Sequence, residues 1–560
     1  MVGKEVLAAD DVVTGGPPAE GPPPPRPGPE DLVRSTALMS VGTTLSRVTG
    51  FARIAAMTFA IGVAESRLAD AYNVANNTPN IIYELVLGGV LSSVFVPVFV
   101  EQIASRTREE AWHVARAVMT VTVVLLGVFM VVGIVAAPWI VRLYTFRVEA
   151  EAQEATRALA TLFLQLFMPQ IVLYGIGAAA TGLLNAHRRF VVPMFAPILN
   201  NLIVIASFLV FAWMYAAAEP PSPANITLAQ KLVLGVGTTA GVLVMTVALW
   251  PSLRRIGFRW RWAFDVRHPA IRKLIRLSGW AVGYVAVNQI GLLIVIVLAS
   301  GVRGGYTAYQ AAFIFFQLPY AIFSVSIMTA LLPSMSERWV EEDRAGFRRI
   351  IARGIRASAF IVVPAAAGYV VLGRPIVRLL LEHGVTTAES TELLAGVLTY
   401  FAVGLFSFSA FMLFLRGFYA MQDTRTPMLV NVFAVALHTG VNFIYFPLLG
   451  VKGLALGHAT AYTFAAIVSA IILRRRLGGL EGRYLVRGLG KVAAGAALTA
   501  AGAWGAARLA ARAFGVETLA DQFIQVGAGV LAGLIIFLVA ALLFRMEELQ
   551  LLRRAFLRRR

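Results

Sequence analysis

Two arginines lie inside the first long apolar segment of the chain, in the stretch SRVTGFAR, where Arg47 and Arg53 are flanked by mostly apolar or small residues. An arginine near the centre of a membrane costs about 3 kcal/mol or more, so it is expected to face a polar cavity, a partner or an anionic ligand. Their spacing places them about 120° apart and about 9 Å along a helix, so both can line one broad groove. A guanidinium is always charged and binds phosphate oxygens in a fork, which predicts a diphosphate-type ligand. The alternative is an internal ion pair with Asp70 or Glu84.

Amides cluster around Pro79 in the second apolar segment, DAYNVANNTPNIIYEL. Proline lacks the amide proton and disfavours helical geometry in the residue before it, which predicts a broken or bent helix whose polar groups line a cavity. An ordinary turn outside the membrane is the alternative. Gly50, Gly88 and Gly89 are candidates for helix packing or hinging. The candidate cavity-lining residues are Ser46, Asp70, Asn73, Asn77, Asn80, Glu84, Asn288, Gln289, Gln310 and Gln317.

The second half of the chain adds polar residues of less certain chemistry. Its uncharged amides can hydrogen-bond a ligand's sugar or amide groups, or a neighbouring helix. His438 and His458 lie in apolar segments, where a histidine either relays protons or bonds a neighbouring helix. Arg416, Asp423 and Arg425, in RGFYAMQDTRTP, are predicted to form a cytoplasmic cap network, with ligand contact as the alternative.

Composition places these residues in an all-α polytopic membrane protein. The 560 residues are 58% hydrophobic and 14% charged, and windows of membrane length predict about fourteen transmembrane helices. Most of the Lys and Arg residues, which give the net charge of +19, lie on one side of these spans, and this predicts that this side, with both termini, is cytoplasmic. This pattern favours contact with anionic lipids over nucleic-acid binding. The chain has no cysteine, which excludes disulfides and cysteine-based metal sites.

An internal repeat organises the spans. The separation along the sequence from Pro97 to Pro333 nearly equals that from Pro193 to Pro427, and the two prolines of each pair have similar flanking sequences. The repeat predicts two parallel six-helix lobes around a central cavity, the plan of an alternating-access transporter, plus two extra C-terminal helices. The predicted parts are a disordered Pro/Gly-rich cytoplasmic arm (1–33), an N-lobe (34–250), a basic interfacial linker with an amphipathic helix (251–274), a C-lobe (275–480), and the last two spans with a basic tail (481–560).

Known catalytic and nucleotide-binding patterns are absent from the sequence. There is no Walker A loop, no HExxH and no nucleophile elbow. We therefore expect a secondary-type transporter rather than an enzyme, without cofactor or metal, and coupled to the membrane potential or to an ion gradient.

Six segments together resemble the MurJ (MviN) lipid II flippases, of the multidrug, oligosaccharidyl-lipid and polysaccharide exporter superfamily. They are SRVTGFAR (46–53), DAYNVANNTPN (70–80), FVPVF (95–99), GLLNAHRRFVVP (182–193), LLPSMS (331–336) and GFYAMQDTRTP (417–427). The resemblance implies a bacterial inner-membrane flippase that moves undecaprenyl-pyrophosphate-linked peptidoglycan precursor outward, with Arg47 and Arg53 on the diphosphate. It also implies that the last two spans hold the polyprenyl tail.

Two family features are missing from this chain. Phe313 and Ile314 align with an Asp-Arg pair of the cavity, so a third cavity arginine is absent there. Spans 7, 11 and 12 contain no carboxylate for a sodium site. Competing hypotheses are an exporter of another lipid-linked oligosaccharide or of drugs, and a non-transporting scaffold that binds wall-synthesis proteins through the N-terminal arm. We expect a monomer.

Overall fold

The computed structural model describes residues 29–85, 99, 107–215, 219–265 and 267–549, and their regular secondary structure is helical throughout. Residues 1–28 of the predicted arm (1–33), Gly88, Gly89 and Pro97 lie outside these residues, whereas residues 29–33, expected to be disordered, are helical. The helices are α1 (Pro29–Ile61), α2 (Leu68–Tyr83), α3 (Arg108–Thr145), α4 (Ala150–Phe167), α5 (Gln170–Ala186), α6 (Val191–Met214), α7 (Leu228–Val247), α8 (Trp250–Arg255), α9 (Pro269–Ala299), α10 (Gly305–Pro319), α11 (Val325–Val340), α12 (Arg344–Leu381), α13 (Ala388–Val403), α14 (Leu405–Ala420), α15 (Arg425–Leu449), α16 (Val451–Leu477), α17 (Gly482–Phe514) and α18 (Leu519–Leu543).

Local sequence fixes several helix starts. Thr107, Thr227 and Thr518 each accept a hydrogen bond from the third residue of the following helix, whose side chain bonds back to the threonine amide. Such capping boxes satisfy amide groups that have no partner within the helix. Asp343 caps α12 in a similar way by accepting from the Gly346 amide at 2.7 Å.

The repeat is visible in the helices themselves. α3 and α12 have the same length, 38 residues, and their first residues are separated along the chain as Pro97 and Pro333 are. The turns before α6 and α15 both contain a residue with a left-handed backbone, Arg188 and Gln422, and these two are separated as Pro193 and Pro427 are. α1–α7 pack together as the N-lobe and α9–α16 as the C-lobe, while α17 and α18 pack on each other and on α12. The predicted two-lobe plan with two additional helices is confirmed.

The lobes are joined at one end of the molecule. There, one apolar core contains Leu68 and Phe163 of the N-lobe together with Ala308 and Phe401 of the C-lobe. At the opposite end each lobe has a core of its own, around Phe258 in the N-lobe and around the residues of α11–α16 in the C-lobe. The lobes therefore meet near the α1–α2 turn and are separate at the other end.

Nine helical segments of the described residues are long and apolar enough to cross a membrane, or ten if α13 and α14, which are bent by 47° at Gly404, count as one span. Among the continuous segments, α4 and α5 form one, and α10 and α11 form another through a π-helical turn at Tyr320–Ser324. A multi-pass membrane protein follows, and the number of fourteen spans stays a prediction.

Two local predictions differ from the structure. The predicted break at Pro79 is absent, because α2 continues through this residue and the Thr78 hydroxyl donates to the Val74 carbonyl at 2.9 Å within the same helix; a bend at Pro79 stays a prediction. Within the linker (251–274), α9 begins at Pro269 and α8 ends before Gly257, which adopts φ 92°, so the predicted helix is interrupted between them. The following stretch, RWRWAF, alternates in a two-residue pattern and runs without helix beside α3, where Arg116 donates to the Arg259 carbonyl.

Candidate functional site

A small cavity between the lobes contains Arg53. It measures about 30 Å³, enough for one or two water molecules, and receives residues from α1, α2, α6 and α10. Asn73 donates from its amide to the Thr307 hydroxyl at 3.1 Å across the lobe boundary, and the Gln310 carbonyl oxygen has no partner among the described residues. The lining residues are Arg53, Ile54, Met57, Tyr72, Asn73, Asn76, Phe208, Thr307, Gln310, Ala311 and Ile314.

Arg53 is half-buried, and its charge acts on the hydroxyls of Tyr72 and Tyr174. Within the described ranges, no ion pair involves Arg53. The carboxylate of Asp70 is bound elsewhere, and Glu84 has no ion pair with a described residue. The ion-pair alternative for Arg53 therefore finds no partner in this part of the chain, and the guanidinium stays available to an anion.

Arg47 lies outside this cavity, nearer the end where the lobes are separate. Its side chain is exposed, and it lies close enough to the Tyr320 hydroxyl to interact with it electrostatically. Arg416 of α14 acts on the same hydroxyl from the C-lobe. Neither arginine has an ion pair among the described residues.

Arg416 was expected in the cytoplasmic cap network, but among the described residues it makes no hydrogen bond or ion pair with Asp423 or Arg425. Asp423 does form a cap, because its carboxylate accepts from the amides of Arg425 and Thr426 at 3.0 Å and pairs with Arg476. Burial raises the pKa of Asp423, but the bonds from Thr426 and Arg476 outweigh it and lower the pKa to about 2. Arg425 takes part through its backbone amide.

Asp70 was expected to line the cavity and instead joins the two lobes. Its carboxylate is buried and accepts from the amides of Gly304 and Thr307, at 2.8 and 3.1 Å, and from the Thr307 hydroxyl at 2.9 Å. These amides belong to the free N-terminus of α10, so Asp70 caps a helix of the other lobe. Arg67, which lies 3.8 Å from Asp70, donates to the Ser300 carbonyl just after the C-terminus of α9.

Glu65 makes a second contact of the same kind. Its carboxylate accepts from the Thr387 amide at 2.6 Å, from the Thr387 hydroxyl at 2.8 Å and from the Ser390 hydroxyl at 2.7 Å, all at the N-terminus of α13. The Val63 amide donates to the same carboxylate within the turn. We call the contacts of residues 58–70 with residues 300–307 and 384–390 the interlobe contact.

The remaining predicted residues divide between helix packing and a second cavity. The Ser46 carbonyl accepts from Asn201 of α6 at 3.2 Å, and Gly50 lies where a Cβ would make ordinary contact with the same amide. Asn77 and Asn80 are half-buried in α2, and Asn80 bonds to the Tyr174 hydroxyl. Asn288 and Gln289 line a cavity inside the C-lobe, and Gln317 is half-buried in α10.

Sequence inspection missed Arg67 and Glu65. Both lie in a short turn, where charged residues are common and carry no signal of their own. Their partners belong to the opposite lobe and lie far away along the chain, which no local pattern indicates.

Comparison with known proteins identifies relatives over most of the chain. The family model described as lipid II flippase MurJ matches residues 59–525. The probable lipid II flippase MurJ of Rhizobium tropici is 30% identical over 448 residues, which cover 80% of this chain and 81% of the relative. The lipid II flippase MurJ of Burkholderia cenocepacia is 28% identical over 451 residues, which cover 80% of this chain and 84% of the relative.

Solved structures show the same fold. A lipid II flippase MurJ in an inward closed conformation matches with a TM-score of 0.73 and 20% identity, covering 91% of this chain and 99% of the other. An inward-facing multidrug resistance MATE family transporter of the MOP superfamily matches with a TM-score of 0.63 and 15% identity, covering 80% and 99%.

Proposed function

The chain belongs to the lipid II flippase MurJ family, and on this premise we propose how it moves lipid II, the undecaprenyl-pyrophosphate-linked peptidoglycan precursor, from the inner to the outer leaflet by alternating access. It is a transporter and not an enzyme. The observation that carries the mechanism is the interior guanidinium of Arg53, which faces a cavity built by both lobes and has no ion pair among the described residues.

Arg47 and Arg53 bind the diphosphate in this proposal. Their fixed charge and forked donors match phosphate oxygens, and the cost of burying a cation falls when an anion enters the cavity. The amides of Asn73 and Gln310, which line the same cavity as Arg53, then hydrogen-bond the headgroup.

Arg416 supplies a third cation from the C-lobe. Its charge and that of Arg47 both act on the Tyr320 hydroxyl, and we place both arginines at the entrance between the lobes. The family arginine that is missing at Ile314 is thus replaced in charge, though not in position, by a residue of α14. A headgroup entering between the lobes meets Arg47 and Arg416 first and Arg53 deeper in the molecule.

The interlobe contact is the outer gate. The positive-inside distribution places the α1–α2 turn on the outside, where the lobes share a core and where Glu65 and Asp70 cap helices of the opposite lobe. The described state is closed at this end. Outward opening requires these caps to separate while the cytoplasmic ends of the lobes come together.

The polyprenyl tail lies against the C-terminal helices. A groove of about 400 Å³ runs between α12 and the pair α17–α18, and its lining is apolar along its length, including Phe360, Leu372, Val530 and Phe537. An isoprenoid chain gains the same burial there as in lipid while the headgroup crosses between the lobes.

We also propose the oligomeric state, the location and the driving force of the protein, and a role for its N-terminal arm. The protein works as a monomer in the bacterial inner membrane, with both termini in the cytoplasm and its basic loops against anionic lipids. Transport is of the secondary type, driven by the membrane potential or by an ion gradient, and the N-terminal arm serves as a tether or binds wall-synthesis proteins.

Complementation of a flippase-depleted bacterium tests the role of the arginines. The variant with both Arg47→Ala and Arg53→Ala is expected to insert into the membrane at the wild-type level and to fail to support growth. Arg508→Ala is the matched control, because this arginine stacks on Trp504 of the same helix, outside the cavity. Full growth with the double variant would contradict the proposal.

A further inference from the structure

A second cavity, with several polar side chains in a mostly apolar lining, lies between helices of the C-lobe. It measures about 250 Å³, room for several water molecules, is partly open and is lined by α9, α10, α15 and α16. Apart from the two histidines, the titratable side chains that line it are the tyrosines of α10 and α16, and no carboxylate, lysine or arginine is among the described lining residues. The polar lining residues are Asn288, Gln289, Tyr309, Asn431, His438, His458 and Tyr462.

Several polar atoms around this cavity have no partner among the described residues. His458 is 6% exposed, and its Nδ1 is one of them. His438 hydrogen-bonds the Leu454 carbonyl through one ring nitrogen, and its Nε2 has no partner in the part of the chain that the structure describes. The same holds for the Gln289 carbonyl oxygen and the buried Asn431 amide nitrogen. Buried polar atoms normally have partners, so a group of four unpaired ones indicates a site that takes up a ligand.

The two imidazoles form one titrating unit. Their ring centroids are 6.0 Å apart, and two positive charges at that separation in a poorly solvated cavity repel strongly. The pair therefore binds two protons in two separate steps, and the first step is a property of the pair and not of either histidine alone. The rings of Phe313 and Phe316 approach the His458 ring edge to face, with centroid separations of 5.5 and 5.4 Å, and the Tyr462 ring centroid lies 4.5 Å from that of His458.

We propose that this cavity is a proton-binding site, in which His438 and His458 hold one proton that drives the conformational cycle. The inference rests on the proposed flippase function and names its coupling ion. A proton from the aqueous phase adds to a free imidazole lone pair, and the unpaired Gln289 oxygen is the acceptor available to the new N–H. Release of the proton on the other side restores the neutral ring, and no other bond changes.

The donor set favours a proton over a metal cation. Sodium, calcium and magnesium are held by oxygen ligands, with carboxylates balancing the charge of the divalent ions. The described lining of this cavity offers amide and phenol groups but no carboxylate. Imidazole, by contrast, binds and releases a proton at a ring nitrogen and needs no carboxylate to do so.

α10 connects this site to the rest of the transport machinery. Tyr309 and Phe313 of α10 line the histidine cavity, while Gln310 and Ile314 line the cavity of Arg53. The N-terminus of the same helix is capped by Asp70 in the interlobe contact. A charge on His458 changes the packing of Phe313, and any shift of α10 is transmitted both to the substrate cavity and to the outer gate.

Flipping in proteoliposomes tests this inference. Wild-type protein is reconstituted with fluorescent lipid II, the membrane potential is held at zero, and the rate is measured with and without a pH gradient, in sodium and in choline buffers. We expect the gradient to change the rate by about fivefold or more, the range of ordinary coupling between sites, and sodium to have no effect. The variant with both His438→Asn and His458→Asn should bind lipid II and lose the response to pH.

His113→Asn is the matched control, because this histidine is exposed on α3 and pairs with Asp265; it should keep the wild-type response. If the double variant fails to insert, His458→Gln alone replaces it and should also lose the response. A pH response that persists without both histidines, or a wild-type rate that follows sodium instead of pH, overturns the inference while leaving flipping intact. Absence of flipping by the wild-type protein under every condition would instead overturn the proposed function.

Discussion

Arg53 lies where both lobes contribute polar side chains to one cavity. The sequence predicted Arg53, Asn73 and Gln310 as cavity residues because polar side chains in long apolar segments need a polar environment, and the structure brings these three together. Thr307 could not be predicted, because threonine is common in membrane helices and its hydroxyl gains meaning only from its bonds to Asp70 and Asn73. The electrostatic effect of Arg416 on Tyr320 likewise depends on how the helices pack.

Gly384 permits the close approach of the lobes. It has φ +65°, and a Cβ there would lie 2.4 Å from the Phe59 carbonyl oxygen of the opposite lobe. Gly384→Ala is therefore expected to open the interlobe contact, since alanine costs about 1–2 kcal/mol in this conformation and also collides with backbone. Spin labels at Glu219→Cys and Glu389→Cys, in a chain that has no native cysteine, should report a longer distance.

Gly450→Ala is the control for Gly384→Ala. Gly450 has nearly the same φ, +59°, but a Cβ there meets nothing within 4 Å. Gly450→Ala therefore has an unfavourable backbone conformation but no steric clash with the opposite lobe. The distance between its two spin labels should match that of the wild type. Equal distances in all three proteins would show that the close approach at Gly384 does not hold the lobes together.

The helices were predicted better from the sequence than the contacts between them. The repeat predicted the matched starts of α6 and α15, because the same proline recurs two residues into each helix. The break at Pro79 was wrong because the loss of one amide hydrogen bond does not end a helix that is packed along its length, as α2 is. The mutual capping of helices across the lobe boundary could not be predicted at all, since each cap and its helix lie far apart in sequence.

The cap on α13 predicts a pH response of the interlobe contact. Burial raises the pKa of Glu65, but hydrogen bonds from Thr387, Ser390 and Val63 outweigh it and hold the pKa below its ordinary value of 4.5. Opening removes the bonds from α13, so the open state has the higher pKa. The carboxylate therefore stabilises the closed state above pH 4.5, and this stabilisation is lost as the pH falls through the lowered pKa.

Distance measurements between pH 7 and pH 3 check this response. The wild-type label distance should lengthen as the pH falls below 4.5, in a step that comparison with Glu65→Gln assigns to Glu65. Glu65→Gln cannot ionise, so it should be more open at pH 7 and show no step at this pH. A step of the same size in Glu65→Gln would assign the response to another group.

At the scale of the whole molecule, the lobes share a core at one end and have separate cores at the other. The sequence predicted two lobes and a cavity from the repeat and the charges, and the resemblance to the MurJ family is confirmed. It could not predict which end is closed, because that depends on contacts such as those of Glu65 and Asp70, which exist in one state of the cycle only.

The apolar groove between α12 and the pair α17–α18, where we place the polyprenyl tail, leads to a prediction. Gly368 of α12 lines the groove, and a Cβ there meets nothing within 4 Å, so Gly368→Leu adds volume without displacing a neighbour. We expect this variant to fold and to flip a short-chain lipid II analogue normally, but to raise the apparent KM for the full-length polyprenyl substrate. Gly505→Leu, also without a neighbour but outside the groove, should leave both values unchanged. Equal apparent KM values of Gly368→Leu for the short-chain and full-length substrates would show that the groove does not bind the polyprenyl tail.

The interior arginine is tested most directly by a leaflet assay on the purified protein. Fluorescent lipid II is incorporated into proteoliposomes, and its movement between leaflets is followed with a membrane-impermeant quencher for the wild type and for Arg53→Ala, with Arg508→Ala as the control. Arg53→Ala is expected to slow flipping by about a hundredfold, as the loss of a buried charge-assisted contact of about 3 kcal/mol implies, while the control matches the wild type. Wild-type flipping by Arg53→Ala would contradict diphosphate binding in the cavity between the lobes.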